Sequence, residues 1–292
     1  MPKLNVKQNN SNVIKAFQVA LETGHRNLLD NPWFTVNQRG QSSYTNTSGF
    51  SESVDRWKIA NKTTLAVVSG GVTLSTKNEI SFQQNTEYDL RGETVTASVK
   101  GGGVVYSGTT TVPSSGFNHV TLSINGLSVD VRVGYSSGLY FRINVNSSTK
   151  SLTLQAVKLE LGSFSTLAND APPDYGMELA KCQRYFFRLK TSNYPCVFAI
   201  GRLVAPTQAR ISIPTPVSMR DNGTITATLN GNILIIDAQQ NASAVITSVS
   251  ALCVMSSGVT ILANLSASLG DGHIATMETS STSAYIDLSA DL

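Results

Sequence analysis

Tyr140, Arg142 and Asn144 alternate with apolar residues in the segment 140–145, and their types suit sugar recognition. In an extended segment, alternation puts all three on one face. Proteins bind sugars by stacking an aromatic ring on the C–H face of the pyranose, while flanking polar groups fix its orientation. The pattern therefore predicts a small carbohydrate-binding platform on the polar face of a strand.

Other aromatic residues could extend this platform. Tyr44 and Phe50 lie in the loop 41–53, which is rich in Ser, Thr and Asn, and we expect them to form a rim. Tyr106 follows a run of three glycines and is a further candidate. Trp57 stands close to an isoleucine in a core-like segment, so we expect it to pack in the interior instead.

Motifs for catalysis and for metal binding are absent from the sequence. His25, His119 and His273 lie in separate segments without the spacing of zinc ligands. There is no Gly-x-Ser-x-Gly motif and no phosphate-binding loop. The acidic residues are scattered, and no spacing predicts the paired carboxylates of a glycosidase. We therefore predict a non-enzymatic protein with no catalytic residue.

The composition favours β-structure and argues against two classes of partner. Charged residues make up 14% of the chain, below the roughly 25% of average soluble domains, and Ser, Thr, Asn and Gly take their place. The net charge is +3, without the clustered cations that bind nucleic acid. No apolar run could span a membrane and no signal peptide is evident, so we expect synthesis in a cytoplasm without membrane insertion.

Alternation of apolar and polar residues predicts strands along most of the chain. Asn125-Gly126 separates two alternating runs and predicts a type I′ hairpin. A second Asn-Gly pair, at 230–231, predicts a second hairpin. Further strands are expected at 63–68, 72–75, 80–84, 94–99, 140–145, 152–161, 245–254, 259–265, 273–278 and 284–288.

We predict an all-β protein with two β-sandwich or jelly-roll domains in tandem and a short N-terminal helical arm. In the arm, Val13, Phe17 and Leu21 fall on one face of a helix. The C-terminal domain is rich in small residues and poor in charge, which favours burial between identical chains. The expected divisions are the arm at 1–26, a first sandwich at 27–163, a linker at 164–188 and an oligomerisation domain at 189–292.

The stretch 152–188 joins the two domains. It begins with apolar residues that alternate with Lys158 and Glu160, the pattern of a half-buried strand. A loop and one or two expected helical turns lead to the block QRYFF at 183–187. Two roles stay open for this block. Arg184 and Tyr185 could contact a partner, and Phe186 and Phe187 could plug an interface between domains or chains.

Several of these segments together resemble bacteriophage tail-fibre and receptor-binding proteins. The resemblance rests on NLLDNPWFTVNQRG at 27–40, DRW at 55–57, LRGETVT at 90–96, KLELG at 158–162, CQRYF at 182–186 and PTQARISIPTPVSMR at 206–220. Pro32, Trp33 and Glu93 depart from the residues usual in that family. The resemblance implies an N-terminal jelly roll of the carbohydrate-binding-module type and a C-terminal trimeric β module.

The resemblance also implies a function. The protein would be a homotrimeric virion protein, made in the host cytoplasm, that binds a host surface polysaccharide without cleaving it and contacts other tail or capsid proteins. Two alternatives stay open: a structural adaptor or head-decoration fibre protein with a carbohydrate-binding fold, and a polysaccharide-cleaving enzyme.

No cofactor is implied, except that related jelly rolls hold a structural calcium ion. Asp30 and Asp55 are the candidate ligands, because calcium prefers carboxylate oxygens. A capped turn, or a salt bridge to Arg56, would also explain these carboxylates.

Overall fold

The fold is known from a computed structural model. It describes residues 26–76, 79–136, 138–146, 151–190, 196–220, 225–255, 257–279 and 281–290. The predicted helical arm, with Val13, Phe17 and Leu21, lies outside the described residues. The chain divides into two compact units. Of the described residues, unit 1 holds those of Met1–Thr35, Gln41–Ser53 and Trp57–Pro172, and unit 2 holds those of Val36–Gly40, Val54–Arg56 and Pro173–Leu292.

Unit 1 is built from antiparallel strands. In chain order they are β1 (Ser43–Thr45), β2 (Phe50–Glu52), β3 (Lys58–Ala60), β4 (Thr64–Val68), β5 (Gly71–Ser75), β6 (Glu79–Thr86), β7 (Thr94–Gly101), β8 (Val104–Thr111), β9 (Gly116–Ile124), β10 (Leu127–Tyr135), β11 (Leu139–Asn146), β12 (Ser151–Leu154) and β13 (Ala156–Leu161). Sheet A has the order β1-β4-β5-β12, sheet B the order β2-β3-β6-β11-β10-β9, and sheet C the order β13-β7-β8. A 3-10 helix at Leu167–Asn169 follows.

The aromatic core of unit 1 is centred on Trp57, which is fully buried. Its indole stacks on Phe82 with 4.5 Å between ring centroids, and Phe34 and Phe141 approach it edge-on at 5.5 and 6.3 Å. Its Nε1 donates to the carbonyl of Asn31 over 3.1 Å, so the polar atom of the ring is satisfied. The predicted packing role of Trp57 is confirmed.

The first predicted hairpin is also confirmed. β9 and β10 pair with Ile124 opposite Leu127, which leaves Asn125 and Gly126 as the two-residue loop. Their φ values are 50° and 77°, both positive as a type I′ turn requires. The local sequence alone therefore determines this register.

The segment 27–40, where the resemblance to tail-fibre proteins implies an entry strand that ends in NQRG, forms turns instead. It follows β13 through single bonds such as Leu28 N to Leu159 O, 2.8 Å, without regular pairing. Asn31 and Phe34 have φ values of 48° and 58°, which interrupt extended backbone. The implied strand is wrong, because the left-handed backbone at Asn31 and Phe34 prevents regular pairing with a neighbouring strand.

The strand predicted at 152–161 is divided in two. The chain leaves sheet A at the end of β12, passes Gln155, and continues in sheet C as β13. Lys158 and Glu160 were expected on a half-exposed face, but both side chains are buried. The alternation there separates apolar from charged residues, and does not separate buried from exposed ones.

The C-terminal part of unit 2, from Pro173 onward, begins with a short helix. It is α1 (Tyr175–Gln183), and Asp174 caps it by accepting a bond of 2.9 Å from the backbone N–H of Met177. The predicted helical turns are therefore confirmed. The strands that follow are β14 (Phe186–Lys190), β15 (Val197–Ala205), β16 (Gln208–Pro214), β17 (Thr226–Asn230), β18 (Ile233–Asp237), β19 (Ala242–Met255), β20 (Gly258–Leu265), β21 (Ile274–Thr279) and β22 (Tyr285–Ser289).

Six strands of unit 2 close into a barrel with the order β15-β16-β20-β19-β18-β21, and β14-β22-β17 form the separate sheet D. Bulges interrupt the pairing of β15 and β19 with their neighbours, which helps these strands to curve. Barrel residues such as Ile211, Ile235 and Met277 share one core with Phe187 and Ile286 of sheet D. The all-β prediction is confirmed, with a closed barrel where a second sandwich was expected.

The second predicted hairpin is wrong. β17 and β18 flank Asn230-Gly231, but β17 pairs with β22 in sheet D while β18 pairs with β19 and β21 in the barrel. Gly231 has a φ of 75° and does make a turn. The turn carries the chain from one sheet to another because Ile233 and Ile235 bury their side chains in the barrel. Among the described residues, no helix is long and apolar enough to cross a membrane.

Candidate functional site

The outer face of sheet B carries the three residues of the predicted platform. Tyr140, Arg142 and Asn144 project from β11, whereas the alternate residues Phe141 and Ile143 are fully buried on the other face. Tyr140 and Arg142 are half-buried, and Asn144 is only 2% exposed. The structure therefore places the three on one face as alternation predicted, but Asn144 is too buried to contact a sugar there.

Strand pairing sets other polar residues beside them. On β6, Gln83 lies opposite Arg142 and Ser81 lies opposite Asn144. On β10, Arg132 lies opposite Arg142. Residues directly opposite in an antiparallel pair share a face. The result is a polar surface across β6, β11 and β10.

The guanidinium of Arg142 is held from several sides. Its Nε donates to Gln83 Oε1, and its Cζ lies 5.1 Å from the ring centroid of Phe50 and 5.4 Å from that of Tyr140. Burial lowers the pKa of Arg142 and raises the pKa of Tyr140, because both charged forms lose contact with water. Arg142 is thus a fixed cation with an aromatic ring on each side.

A pocket of about 620 Å³ opens beside Arg142. Its wall is formed by the loop 46–50, the turn 60–62 and the side chains of Glu79, Ser81 and Arg142. All of these residues belong to unit 1. The pocket combines one exposed aromatic ring, that of Phe50, with amide, hydroxyl and charged groups, which is the mixture that sugar sites use.

One buried side chain organises the pocket wall. Asn46 is 2% exposed, and its Nδ2 lies 3.0 Å from Ser48 O, 3.1 Å from Gly49 O and 2.8 Å from Ser51 Oγ. Its Oδ1 accepts a bond of 3.1 Å from the backbone N–H of Lys62. This amide ties the loop to the facing turn, so the wall is formed before a ligand arrives.

The turn at the pocket has unusual backbone geometry. Asn61 and Lys62 have φ values of 55° and 59°. Asparagine tolerates this region, but lysine adopts it seldom. Such residues concentrate at functional sites. Asn46, Asn61 and Lys62 were not predicted as site residues, and the one signal for them in the sequence was the polar Asn-Lys pair between two strand segments.

The remaining predicted aromatic residues differ in exposure and in position. Phe50 is 48% exposed and lines the pocket, at the predicted rim. Tyr44 lies on β1 opposite Leu65 and is only 6% exposed, so it cannot offer a ring face to a sugar, and its predicted exposure is wrong. Tyr106 lies on β8 of sheet C, where its hydroxyl donates to Asn125 Oδ1 over 3.4 Å. The structure does not bring Tyr106 to the face of sheet B.

A second polar-aromatic group continues the same face toward the sheet edge. His119 Nδ1 lies 2.8 Å from Asp130 Oδ1, and Arg132 Nε donates to the other oxygen of Asp130 over 2.8 Å. The Cζ of Arg132 lies 5.0 Å from the ring of Phe117, which is 42% exposed. This group was not predicted from the sequence, because the histidines were considered there only as metal ligands.

The two candidate calcium ligands have other partners. The carboxylate of Asp55 accepts bonds from the backbone N–H and the side-chain Nε2 of Gln38, at 2.6 and 2.8 Å. The backbone of Asp30 exchanges two hydrogen bonds with the amide of Gln84. Within the described ranges, no three His, Cys, Asp or Glu side chains form a group that could hold a metal ion. Hydrogen bonds from Gln38, 17 residues away in the sequence, therefore hold the carboxylate of Asp55.

The aromatic block QRYFF packs within unit 2. Tyr185, Phe186 and Phe187 are buried, and Phe187 belongs to the core shared by sheet D and the barrel. Arg184 is exposed, with its Cζ 5.7 Å from the ring of Tyr185. The predicted role of these four residues at an interface between domains or chains stays a prediction.

Two short segments of the N-terminal half pack on this block in unit 2. The guanidinium of Arg39 lies 3.7 Å from the ring centroid of Phe186, and that of Arg56 lies 3.4 Å from the ring of Tyr185. Gln38 Nε2 also donates to the carbonyl of Phe186 over 2.8 Å. Three of the segments on which the phage resemblance rests therefore meet in space.

No family model matches this sequence, and no curated protein sequence matches it. The chemistry of the site must therefore be inferred from its geometry.

Proposed function

We propose that the protein is a non-enzymatic, carbohydrate-binding component of a bacteriophage virion, in a tail fibre, baseplate or receptor-binding structure. The observation that carries the proposal is the outer face of sheet B. There, the rings of Phe50 and Tyr140 lie 5.1 and 5.4 Å from Cζ of Arg142, and Phe50 and Arg142 line a pocket of about 620 Å³. This volume lies within the roughly 300–1,000 Å³ that small-molecule sites occupy.

Binding would combine stacking and hydrogen bonds. The exposed ring of Phe50 offers a face for the C–H side of a sugar, and the exposed side chains of Asn61 and Lys62 offer polar groups in the same pocket. Asn46 already holds the loop 46–50 in place. Ligand binding therefore orders little additional chain, and its entropic cost is small. Each site would bind a host polysaccharide weakly, and several copies would raise the overall affinity by orders of magnitude.

The virion location, the contacts with other virion proteins and the homotrimer rest on the resemblance of the sequence to tail-fibre proteins. One structural feature supports association between copies of the chain, without bearing on their number. The outside of the barrel exposes Ile200 and Ile274 on the neighbouring strands β15 and β21, with 60% and 56% of their surface free. Exposed isoleucines on adjacent strands suit burial between copies of a chain.

A glycan array probed with the intact protein tests the proposal. We expect binding to at least one bacterial surface glycan, and a loss of about threefold to tenfold in Phe50→Ala and Tyr140→Ala, the range expected when one aromatic contact is removed. Tyr88→Ala is the matched control, because Tyr88 is exposed, does not line the pocket and, unlike Tyr140, has no ring contact with Arg142 in the described part of the chain.

Two results would contradict the proposal. One is the absence of binding to every glycan and to every host envelope fraction. The other is the release of reducing ends from a host polysaccharide, which would show that the protein cleaves its ligand.

A further inference from the structure

The terminal nitrogens of Arg142 are available to a ligand. Arg142 Nε is occupied by Gln83, but neither Nη atom makes a hydrogen bond with any described residue. The rings of Phe50 and Tyr140 restrict the rotation of the guanidinium. A fixed guanidinium presents parallel N–H donors in the geometry that matches the two oxygens of a carboxylate.

The charges around the pocket leave a surplus of cations. Glu79 is the acidic residue of the pocket wall, and its Oε1 lies 3.8 Å from Nη2 of Arg132. Its other oxygen accepts a bond of 3.3 Å from Asn61 Nδ2. Lys62, which is exposed at the wall, makes no ion pair within the described part of the chain. The lining of the pocket therefore carries two cations, Arg142 and Lys62, against the single carboxylate of Glu79.

On the basis of the proposed carbohydrate binding, we infer that this pocket selects acidic sugars, such as uronic or sialic acid residues of a surface polysaccharide. The carboxylate pairs with Arg142 and Lys62, and the sugar ring lies against Phe50. Partial burial also favours this pairing, because it lowers the pKa of Arg142 and an anion offsets the loss of water around the cation.

The test compares acidic oligosaccharides with their own methyl esters, so that only the negative charge differs. Titration calorimetry of the intact protein with oligogalacturonate and with an α2,3-sialyl oligosaccharide, each beside its methyl ester, should show at least one acid bound about tenfold more tightly than its ester. The preference should weaken as salt rises from about 50 to 500 mM, because salt screens charges.

Three variants test which residues cause the preference for the acid over its methyl ester. Arg142→Gln should abolish the preference for the acid, and Arg142→Lys should keep part of it, because lysine retains the charge but lacks the paired donors. Lys62→Gln, at an exposed position, should reduce the preference severalfold without affecting folding. Arg91→Gln is the control, since Arg91 is exposed, pairs with Asp89 and does not line the pocket.

The outcomes separate this inference from the proposed function. If neutral glycans bind and every acid binds no better than its ester, the selectivity is wrong and carbohydrate binding stands. Phosphorylated glycans that bind where carboxylated ones do not would likewise overturn it. If no glycan binds at all, both proposals fail.

Discussion

Asp237 is fully buried at the end of β18, where it joins two loops. His273 Nδ1 donates to it over 2.8 Å, and the backbone N–H groups of Gln239, Gln240 and Gly270 donate over 2.9, 3.2 and 3.0 Å. Position 270 requires glycine, because an added Cβ would lie 2.1 Å from His273 Nδ1. Burial raises the pKa of Asp237, but these hydrogen bonds outweigh it and lower the pKa to about 2.

This bonding predicts acid sensitivity of the barrel. The folded pKa of Asp237 lies below its usual 3.8, so the ionised group contributes stability above about pH 4. That contribution is lost as the pH falls from about 4 through 2. Asp237→Asn should therefore lower the Tm at pH 6, and its difference from the wild-type Tm should shrink below about pH 3. Circular dichroism melts between pH 2 and 7 measure this.

Asp271→Asn serves as the control for Asp237→Asn. Asp271 lies in the same loop region but is exposed, so its amide variant should follow the wild-type curve at every pH. A Tm difference for Asp237→Asn that stays constant on acidification would contradict the assignment.

The side chain of Asn144 lowers the stability of unit 1 at the proposed binding face. It is 2% exposed, and its Nδ2 finds no acceptor among the residues that the structure describes. An unpaired buried donor costs about 1–3 kcal/mol. Asn144 lies on the same face of β11 as Arg142, two residues away. Unpaired buried donors are expected where a surface is shaped for binding as well as for stability.

At the scale of elements, a buried ionic network fastens the end of unit 1 to β13. Lys158 Nζ lies 2.7 Å from Asp170 Oδ2 and 3.4 Å from Glu160 Oε2. Glu160 also accepts bonds of 2.9 and 2.7 Å from the backbone N–H and the hydroxyl of Thr166. Lys158 and Glu160 are 1% and 0% exposed, so each charge depends on its partners.

We predict that Lys158→Met destabilises unit 1 by about 3–5 kcal/mol, because it leaves Glu160 buried without a cation. The double variant with Glu160→Leu should recover much of this loss, since an apolar pair can replace a buried ion pair. Chemical denaturation measures the effect. Lys190→Met, at an exposed position on β14, should change stability by less than about 0.5 kcal/mol. Equal stability of Lys158→Met and the wild type would refute the network's role.

At the scale of the whole molecule, the proposed assembly predicts a mass in solution. Light scattering after size exclusion should give about three times the chain mass of 31.1 kDa. The double variant Ile200→Asp and Ile274→Asp should lower that mass toward one chain, because buried carboxylates without partners disrupt an apolar interface.

Val104→Asp is the control for the assembly, because Val104 is 51% exposed but lies on β8 of unit 1. It should leave the mass unchanged. A wild-type protein that is monomeric at micromolar concentration would contradict the trimer and leave the sugar site of unit 1 untouched.

Sequence alone predicted what depends on local patterns. Alternation gave the β-class and the approximate bounds of strands such as β7, β11 and β20, because side chains in a strand alternate between two faces. Asn125-Gly126 determined its hairpin because both residues accept positive φ values. Alternation also placed Tyr140, Arg142 and Asn144 on one face.

Tertiary structure decided everything that depends on distant pairing. The same dipeptide at 230–231 joins two sheets, because burial of β18 in the barrel outweighs local turn preference. Lys158 is buried because Asp170 lies beside it, and Tyr44 is buried because β1 pairs with β4. The pocket needs the loop 46–50 and Arg142 together, although nearly a hundred residues separate them, and no local pattern encodes contacts across such a distance.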